Sequence, residues 1–400
     1  MLRHPYKVGI DIAMSVARTL TPRTTLRAYA ANVDWSTFRC AVSLHAHTQH
    51  SCEVLSDLPA CISRIPVIGP RVGRGLERRV AAEPLDLARG WWHPPVTPRQ
   101  VFESEASQID RRFGLDSLVS LTDHDQIAAG LEARRLFAGR RAPISIEWTV
   151  PDHDGFFHLG VHDLPEATAG DWLARLAAFT HGVGADVLRD ILGDLRTSGA
   201  LLVFNHPMWD LAGVGERTHA RRLREFLDRH QRHLDALELN GYRSWAENGA
   251  VRRVSAERGL PLISGGDRHT LAPNAMVNLT CAESFAEFAA EVRDGLSHIV
   301  VMPEYREHLA SRILASTSDV LRFYGCHPVG WQRWFDRVSC ESAGQLRPLS
   351  DRWPGGGPFW VRSAIRTLRV ISSPRLLPIW RAALQRLDRP PRVSPIPSTS

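Results

Sequence analysis

Short apolar runs rich in β-forming residues recur through the middle of this chain, and they limit what it can fold into. Eight such runs are bounded by turn residues, at 38–45, 117–122, 143–148, 156–162, 200–205, 234–240, 261–264 and 298–302. Amphipathic segments lie between them, such as residues 98–113, with apolar side chains on one face. Alternating strands and helices predict a parallel sheet, and seven or eight units over about 270 residues indicate a closed or nearly closed barrel.

The rest of the chain is organised around this predicted barrel. Residues 1–35 are predicted to be a helical leader, and the barrel spans 36–303 with a long Pro/Gly/Arg-rich insertion at 54–96. Residues 304–389 read as a helical C-terminal region, and the Pro- and Ser-rich residues 390–400 as a disordered tail. The sequence therefore predicts one large α/β unit with a helical C-terminal extension.

Composition excludes several classes of chemistry. The chain has 400 residues and a net charge of +6, and Lys7 is its only lysine. A Schiff-base mechanism or a Walker-type phosphate loop needs a lysine inside the fold. Six cysteines without paired spacing indicate neither a disulfide framework nor a zinc ribbon. No run reaches the roughly eighteen apolar residues of a membrane span, so a cytoplasmic protein without an integral membrane segment is expected.

Nine residues of types that can bind metal ions lie at or near the ends of the apolar runs. They are His45, His47, Glu53, His124, Glu147, His158, His206, Asp267 and His269. The carboxyl ends of parallel strands meet at one rim of a barrel, where working groups gather. Because the Glu147 carboxylate follows an apolar strand, it needs a partner, and a cation shared between sites would provide one.

Each of these residues also has an ordinary structural interpretation. The two histidines of His45-Ala46-His47 can be a hydrogen-bonded pair, and Glu147 can form a simple salt bridge. Within its strand, His158 can be a core histidine with satisfied hydrogen bonds. The joint occurrence of the clusters, in this order and at these strand ends, favours a metal site.

In this order the clusters resemble the polymerase and histidinol phosphatase (PHP) family. The resemblance covers roughly residues 38–302. It is carried by Leu44-His45-Ala46-His47-Thr48 with Ser51 and Glu53, Leu121-Thr122-Asp123-His124-Asp125, Ile146-Glu147, His158-Leu159-Gly160, Asn205-His206-Pro207, Leu237-Glu238-Leu239-Asn240 and Gly266-Asp267-Arg268-His269.

The resemblance implies a distorted (β/α)7 TIM-like barrel of PHP type that holds two or three divalent metal ions. Zn, Mn and Fe all suit mixed histidine and carboxylate ligands. Three ligand sets are implied: His45, His47, Glu147 and Asp267 for one ion, Glu147, His158 and His206 for a second, and Glu53, His124 and His269 for a third.

The implied activity is metal-dependent hydrolysis of a phosphomonoester, a small nucleotide or an oligonucleotide by metal-activated hydroxide. The residues expected to carry catalysis are His45, His47, Glu147, Asp267 and Arg268. Arg268 and Arg243 are candidate phosphate clamps, since guanidinium presents a planar fork of donors. Two alternatives stay open: a C–N bond hydrolase on the same barrel, and a non-catalytic metal-stabilised scaffold that binds nucleic acid or a partner.

The C-terminal region combines aromatic residues with arginines. Its aromatic side chains include Trp331, Trp334, Phe335, Phe359, Trp360 and Trp380. Such a mixture can stack on the bases of single-stranded nucleic acid or lie at a membrane surface. Packing of amphipathic helices against the barrel is the simpler interpretation. The oligomeric state cannot be read from the sequence.

Overall fold

The computed structural model describes residues 23–55, 89–137, 142–183, 187–342 and 345–384. The strands in these ranges are β1 Arg23–Ala28, β2 Cys40–Ser43, β3 Glu53–Val54, β4 Gly90–Trp92, β5 Asp116–Val119, β6 Ile146–Asp152, β7 Gly155–His162, β8 Leu201–Phe204, β9 Ala236–Asn240, β10 Leu262–Gly265, β11 Met276–Thr280, β12 Leu296–Val301, β13 Val338–Ser342 and β14 Gln345–Pro348. The α-helices are α1 Pro98–Phe113, α2 Ala128–Leu136, α3 Ala169–Thr180, α4 Leu188–Thr197, α5 Glu216–His230, α6 Trp245–Arg258, α7 Phe285–Arg293, α8 Leu309–Leu321, α9 Leu349–Arg352, α10 Phe359–Ile371 and α11 Leu377–Leu384.

The strands form two five-stranded sheets and one four-stranded sheet. Their orders are β1-β12-β11-β2-β5, β10-β9-β8-β7-β6 and β14-β13-β4-β3. In the five-stranded sheets, β11 and β7 run antiparallel to both of their neighbours, and the other pairs are parallel. The fold is therefore mixed α/β, and the expectation of an all-parallel sheet was wrong at these two strands.

The two five-stranded sheets meet without joining into one continuous ladder. Among the residues that the structure describes, isolated bridges span the two seams: Leu121↔Ile144 and His124↔Glu147 at one, and Ala46↔Arg268 at the other. Two residues beyond β2 and β10, at His45 and Asp267, the backbone is left-handed and the regular ladder has ended. No closed hydrogen-bonded barrel forms within the described ranges, which corrects the prediction of closure.

Local signals explain where the helices lie, and α1 is the clearest case. Thr97 caps its N-terminus and forms a capping box with Gln100, and Gly114 ends it in a left-handed conformation with φ of 65°. Its buried face, including Val101 and Ile109, packs on the first sheet. Helix α1 spans the amphipathic residues 98–113 that the sequence indicated.

Both ends of the chain differ from the sequence-based picture. Residues 23–28 of the predicted helical leader form strand β1, which pairs in parallel with β12; residues 1–22 lie outside the described residues. The C-terminal region contains α8–α11 but also the hairpin β13–β14. Residues 56–88 of the insertion and the tail at 390–400 are outside the described ranges. Within those ranges, none of the helices is long and apolar enough to cross a bilayer.

Candidate metal centre

All nine predicted ligand side chains lie together where the two five-stranded sheets meet. Most of them follow the carboxyl ends of strands, while Glu147 and His158 lie within β6 and β7 and Glu53 begins β3. Four overlapping groups have ligand atoms within 4.8 Å of one another: His47, Glu53, His124 and His269; His45, Glu147 and His206; His45, His47 and Asp267; His124, Glu147 and His158. The fold thus brings distant parts of the chain into one cluster.

Glu147 lies at the centre of this cluster and is fully buried. Its Oε2 atom is 3.0 Å from His45 Nε2 and 3.2 Å from His47 Nε2. Its Oε1 atom is 3.1 Å from His206 Nε2 and 3.3 Å from His158 Nδ1. His124 Nδ1 lies 3.4 Å from Oε2 as well, so Oε2 faces three imidazoles and Oε1 faces two, and a shared carboxylate of this kind could serve two cations.

Glu53 organises the outer part of the cluster. Its Oε2 atom is 3.2 Å from both His124 Nε2 and His269 Nε2, and its Oε1 atom is 3.5 Å from His47 Nδ1. The side chains of the implied third ligand set, Glu53, His124 and His269, therefore lie together, and His47 lies with them. His206 groups with His45 and Glu147 in the structure, whereas the implied second set paired it with His158.

Three buried ring nitrogens in the cluster, His47 Nε2, His124 Nδ1 and His158 Nδ1, make no well-aligned hydrogen bond, although each lies 3.2–3.4 Å from a Glu147 oxygen. Leaving a buried polar atom unpaired is costly, and native proteins rarely do so. A divalent cation would supply the missing partner, because a neutral imidazole nitrogen is a good ligand for such ions. The donor set of the cluster thus fits divalent metal ions.

The backbone at three candidate ligands is left-handed. His45 has φ of 63°, Asp267 has φ of 50° and His206 has φ of 27°. Such conformations cost about 1–3 kcal/mol each for residues other than glycine, and they persist where surrounding contacts enforce them. The simple strand alternation expected for His45 and His47 does not apply, since His45 lies beyond β2 in this turn. Instead, this left-handed turn places the two rings 5.2 Å apart.

Two supporting residues were not predicted as part of the site. Glu238 lies 2.6 Å from His45 Nδ1 and accepts the backbone N–H of His206 at 2.8 Å. The side-chain amide of Asn205 donates to Glu147 Oε1 at 3.0 Å. Glu238 fixes the orientation of the His45 ring, as partners of metal-binding histidines commonly do. One sequence signal could have found Glu238: an acid inside the otherwise apolar strand β9 is costly to bury without a role.

Gly265 and Gly266 are needed for close packing. A Cβ atom on Gly265 would overlap the Glu238 carboxylate, and one on Gly266 would overlap the amide of Asn274. Asn274 in turn donates to the carbonyl of Leu44 at 2.9 Å. The glycines therefore let these polar groups reach the backbone behind the ligands, which refines the predicted flexible turn.

The structure places the guanidinium of Arg268, a predicted phosphate clamp, against helix α1. Its buried guanidinium forms an ion pair with Glu105 of α1 and donates to the carbonyl of Thr270 and the hydroxyl of Ser104. Through these contacts the N–H donors of the Arg268 guanidinium bind groups on α1 and on its own loop. The ion pair with Glu105 compensates the burial of the Arg268 charge.

Arg243 is the arginine that reaches the cluster. Its Nη2 atom donates to Asp267 Oδ2 at 3.1 Å, and its guanidinium carbon lies 3.2 Å from the centre of the Trp209 ring. The side chain is 6% exposed, and its Nε atom is buried without a partner.

The charges of the buried carboxylates depend on the surrounding imidazoles. Burial raises the pKa of Glu147, but His45, His158 and His124 outweigh burial and hold the pKa of this carboxyl well below its usual range. Burial likewise raises the pKa of Glu53, and His269 with His124 more than reverses this effect. Both groups are thus held as carboxylates, the form that binds cations.

The imidazoles divide into two kinds. Burial and the neighbouring His269 lower the pKa of His47 to about 4, so its ring is neutral at pH 7. Burial also lowers the pKa of His124, but Glu53 and Glu147 outweigh it and raise the pKa to about 10. Because a metal ligand must be deprotonated, binding of an ion at His124 would release a proton.

No protein-family model and no curated protein matches the chain. Solved structures similar to this chain include a protein with a predicted PHP-like metal-dependent phosphoesterase domain and a protein described as a metal-dependent phosphoesterase. One is a two-domain protein from Bacteroides vulgatus with a predicted domain of this kind: identity is 13%, the TM-score is 0.37, and the match covers 67% of each chain.

Two further structures are similar over about half of the chain. A protein from Bifidobacterium adolescentis, assigned as a metal-dependent phosphoesterase, is 16% identical with a TM-score of 0.31, covering 45% of this chain and 85% of that chain. An amidohydrolase from Chromobacterium violaceum is 18% identical with a TM-score of 0.32, covering 44% of this chain and 83% of that chain.

Proposed function

We propose that this protein is a metal-dependent phosphoesterase that hydrolyses a phosphomonoester, a small nucleotide or an oligonucleotide. The observation that carries the proposal is the convergence of the nine candidate ligand side chains, Glu147 among them, into one cluster, in which three buried ring nitrogens make no well-aligned hydrogen bond. Glu147 belongs to two of the four ligand groups, as a carboxylate shared between ions would. Pairs of ions held in this way are typical of enzymes that cleave phosphoesters.

Two or three divalent ions, Zn, Mn or Fe, would supply Lewis acidity and a bound water of lowered pKa. The four ligand groups are the residues that would hold them, with Glu238 orienting His45 and Asn205 orienting Glu147. Burial of the cluster keeps bulk water away from most of these side chains and strengthens their electrostatic interactions. His45, His47, Glu147 and Asp267 remain the proposed catalytic set.

Arg243 is the proposed phosphate-binding residue. It is a buried cation beside Asp267 with one N–H donor unpaired, so an anionic group that enters the cluster finds a preformed partner. Its stacking on Trp209 fixes the plane of the guanidinium. A substrate carrying a phosphate fits this position better than a neutral amide does, which favours phosphoester over C–N bond hydrolysis.

The proposed catalytic unit spans residues 36–303, with the C-terminal region from 304 to 389 added to it. In this proposal strands of the two five-stranded sheets together form a distorted barrel that is not closed by a continuous ladder. The bridges Leu121↔Ile144 and Ala46↔Arg268 support it, since they lie where neighbouring barrel strands would pair.

Metal analysis joined to a phosphate-release screen tests the proposed function. Purified protein is analysed for bound metal and assayed on sugar phosphates, nucleotides and short oligonucleotides. The His45→Ala variant should lose both metal and phosphate release. The matched control is His50→Ala, which removes a part-exposed histidine that pairs with Glu132 outside the cluster.

Two results would contradict the proposal. Hydrolysis of amide or other C–N substrates without any phosphate release would replace it by a C–N bond hydrolase. Bound metal with no turnover of any substrate would favour a non-catalytic scaffold that binds nucleic acid or a partner.

A further inference from the structure

Glu53, which organises the outer part of the cluster, stands on a very short strand. Strand β3 has two residues, and it pairs with β4 through Glu53↔Trp92 and Val54↔Trp91. In the four-stranded sheet, β3 is the edge and β4 is its neighbour. A two-stranded ribbon of this length is marginally stable at best, so Glu53 needs support from beyond β4.

That support comes from the C-terminal region, here the described residues 304–342 and 345–384. Strand β13 pairs with the other side of β4 through Val338↔Trp92 and Ser339↔Trp91. Trp92 therefore has Glu53 on one side and Val338 on the other. Residues almost three hundred positions apart in sequence lie in one sheet, and the C-terminal strand stabilises the strand that carries the candidate ligand.

His93 adds a side-chain connection to this sheet. Its backbone N–H donates to the carbonyl of Arg337 at 2.9 Å, and its ring packs against Trp331 with centroids 5.1 Å apart. Its Nδ1 atom lies 2.7 Å from the carbonyl oxygen of Ser51, so the Nδ1–H donates to it. The hydroxyl of Ser51 then donates to Glu53 Oε1 at 2.6 Å. His93 thus links the C-terminal region to the carboxylate of Glu53 through one intervening residue.

The C-terminal region is itself fixed to the rest of the molecule. On α8, Arg312 donates to the carbonyl of Gly241 and lies 5.2 Å from the centre of the Tyr242 ring. The backbone N–H of Leu271 donates to Asp319 Oδ2 at 3.3 Å. Helix α8 therefore docks beside the loops that follow β9 and β10, close to the cluster.

Inside the C-terminal region, one buried arginine connects α8 to the segment before β13. Arg337 is 1% exposed and donates to the carbonyls of Val320 at 2.7 Å and Trp331 at 2.8 Å. Multiple charge-assisted hydrogen bonds of this kind hold their segments in one geometry. The position of α8 is thereby transmitted to β13 and on to β4.

We propose that the C-terminal region completes the metal centre by holding Glu53 in place. Ion binding at the position formed by Glu53, His124 and His269 then depends on this region, whereas binding around Glu147 does not. The Glu147 side depends on strands of the two five-stranded sheets instead. This inference rests on the proposed metal centre, and it assigns a positioning role to His93 and to β13.

Counting bound ions tests the proposal. The full chain is dialysed against Zn²⁺ at a series of free concentrations, and zinc per chain is measured for the wild type, His93→Ala and His93→Asn. His93→Ala should weaken the binding of one ion per chain, the one assigned to Glu53, His124 and His269, by about 10- to 100-fold, as loss of a residue that orients a ligand does. His93→Asn should restore the binding, because its amide N–H can replace the Nδ1 donor to Ser51.

Arg337→Met should weaken the same ion, and Arg347→Met is its matched control, an exposed arginine of β14 that hydrogen-bonds locally to Gln345. Binding curves for His93→Ala and Arg337→Met that coincide with the wild type would overturn the proposal. So would loss of every ion from these variants, since the positions around Glu147 should stay filled.

Hydrogen exchange gives a second measurement that needs no destabilised variant. Coupling between two sites is reciprocal, so an ion held by Glu53 must stabilise β4 and β13. Adding Zn²⁺ should slow amide exchange in residues 90–93 and 338–341 by about 5- to 150-fold. In Glu53→Gln this slowing should disappear while protection of β6 and β8 remains. Unchanged exchange in β13 on zinc addition to the wild type would overturn the proposal.

These readouts separate the two proposals. A wild type that binds zinc with the predicted coupling but releases no phosphate refutes the phosphoesterase and leaves the positioning role standing. If the protein releases phosphate but His93→Ala and Arg337→Met bind zinc as the wild type does, only the positioning role is refuted.

Discussion

At the scale of single residues, the cluster is built around one buried carboxylate. Five imidazoles lie within 3.4 Å of the Glu147 oxygens, those of His45, His47, His124, His158 and His206. Burying a lone carboxylate in an apolar strand would be prohibitive, and these neighbours are what permit it. The cluster is therefore a mutually dependent set, in which each side chain is oriented by several others.

Glu238 provides the clearest residue-scale prediction. Replacing it by alanine removes the partner of His45 Nδ1, so the ring can rotate away from Glu147. We expect metal affinity to decrease by about 10- to 100-fold. Equilibrium dialysis measures this, with Glu257→Ala on the exposed face of α6 as control. Unchanged affinity in Glu238→Ala would show that His45 needs no such support.

A second residue-scale prediction concerns acid sensitivity outside the cluster. His230 is 8% exposed, packs against Phe226 and has a buried Nδ1 atom without a partner. Burial, together with Arg229, lowers its pKa to about 4. Because the unfolded chain binds a proton near pH 6.5, the contribution of neutral His230 to stability is complete above that pH and is lost as pH falls towards 4.

Urea unfolding at pH 7.5 and pH 4.5 measures this contribution. Between these values, wild type should lose about 1–2 kcal/mol more unfolding free energy than His230→Phe, which keeps an apolar ring at the position, because solvent reduces the effect of the lowered pKa. Protonation of the metal cluster affects both proteins and cancels in the comparison. Equal losses in the two proteins would contradict the prediction.

At the scale of elements, α1 holds the loop after β10 in position. Glu105 pairs with Arg268 and accepts the backbone N–H of Asn274 at 3.0 Å. Gln108 donates to the carbonyl of Asn274 at 2.8 Å. The same loop carries Asp267 and His269, so a helix on the outside of the first sheet determines where two candidate ligands stand.

This arrangement predicts that Arg268 serves stability and Arg243 serves binding. Arg268→Met leaves Glu105 buried without its cation and should lower the unfolding free energy by about 3–5 kcal/mol. Its KM for a phosphoester substrate should stay near that of the wild type. Arg243→Met should instead raise KM, because the guanidinium beside Asp267 is lost. Denaturant unfolding and steady-state kinetics measure both effects, and a raised KM in Arg268→Met alone would reverse the assignment.

At the scale of the whole molecule, the cluster joins parts of the chain that are far apart in sequence. The candidate ligands extend from residue 45 to residue 269 and sit where the two five-stranded sheets meet without a continuous ladder. Ions bound there would connect the two sheets in the folded state and have no preformed site in the unfolded chain.

Metal removal should therefore destabilise the entire fold. A ligand present at one hundred times its dissociation constant adds about 2.7 kcal/mol of stability. Treatment with EDTA should lower the thermal midpoint, and adding back Zn²⁺ should restore it. His45→Ala, which lacks a residue shared by two ligand groups, should show a much smaller change. A midpoint insensitive to EDTA in the wild type would indicate that no ion joins the sheets.

The sequence by itself determined the identity and order of the candidate ligands, as well as helices such as α1, because these depend on local patterns. Apolar runs mark strands, capping residues mark helix ends, and the polar residues after them stand at strand ends. Local sequence patterns do not determine which strands pair with each other. The antiparallel directions of β7 and β11, and the strand at 23–28, follow from pairing with distant segments.

Only the tertiary structure decided how the candidate ligands combine and which other residues support them. From the sequence, Arg268 and Arg243 are equally plausible phosphate-binding residues. In the structure, Arg268 forms an ion pair with Glu105 on α1, and Arg243 forms one with Asp267. The dependence of Glu53 on β13 was equally invisible, since its partners lie almost three hundred residues away. A buried charged side chain is stable only beside an opposite charge. In this fold the opposite charges come from distant parts of the sequence, so their pairing is determined by the tertiary structure.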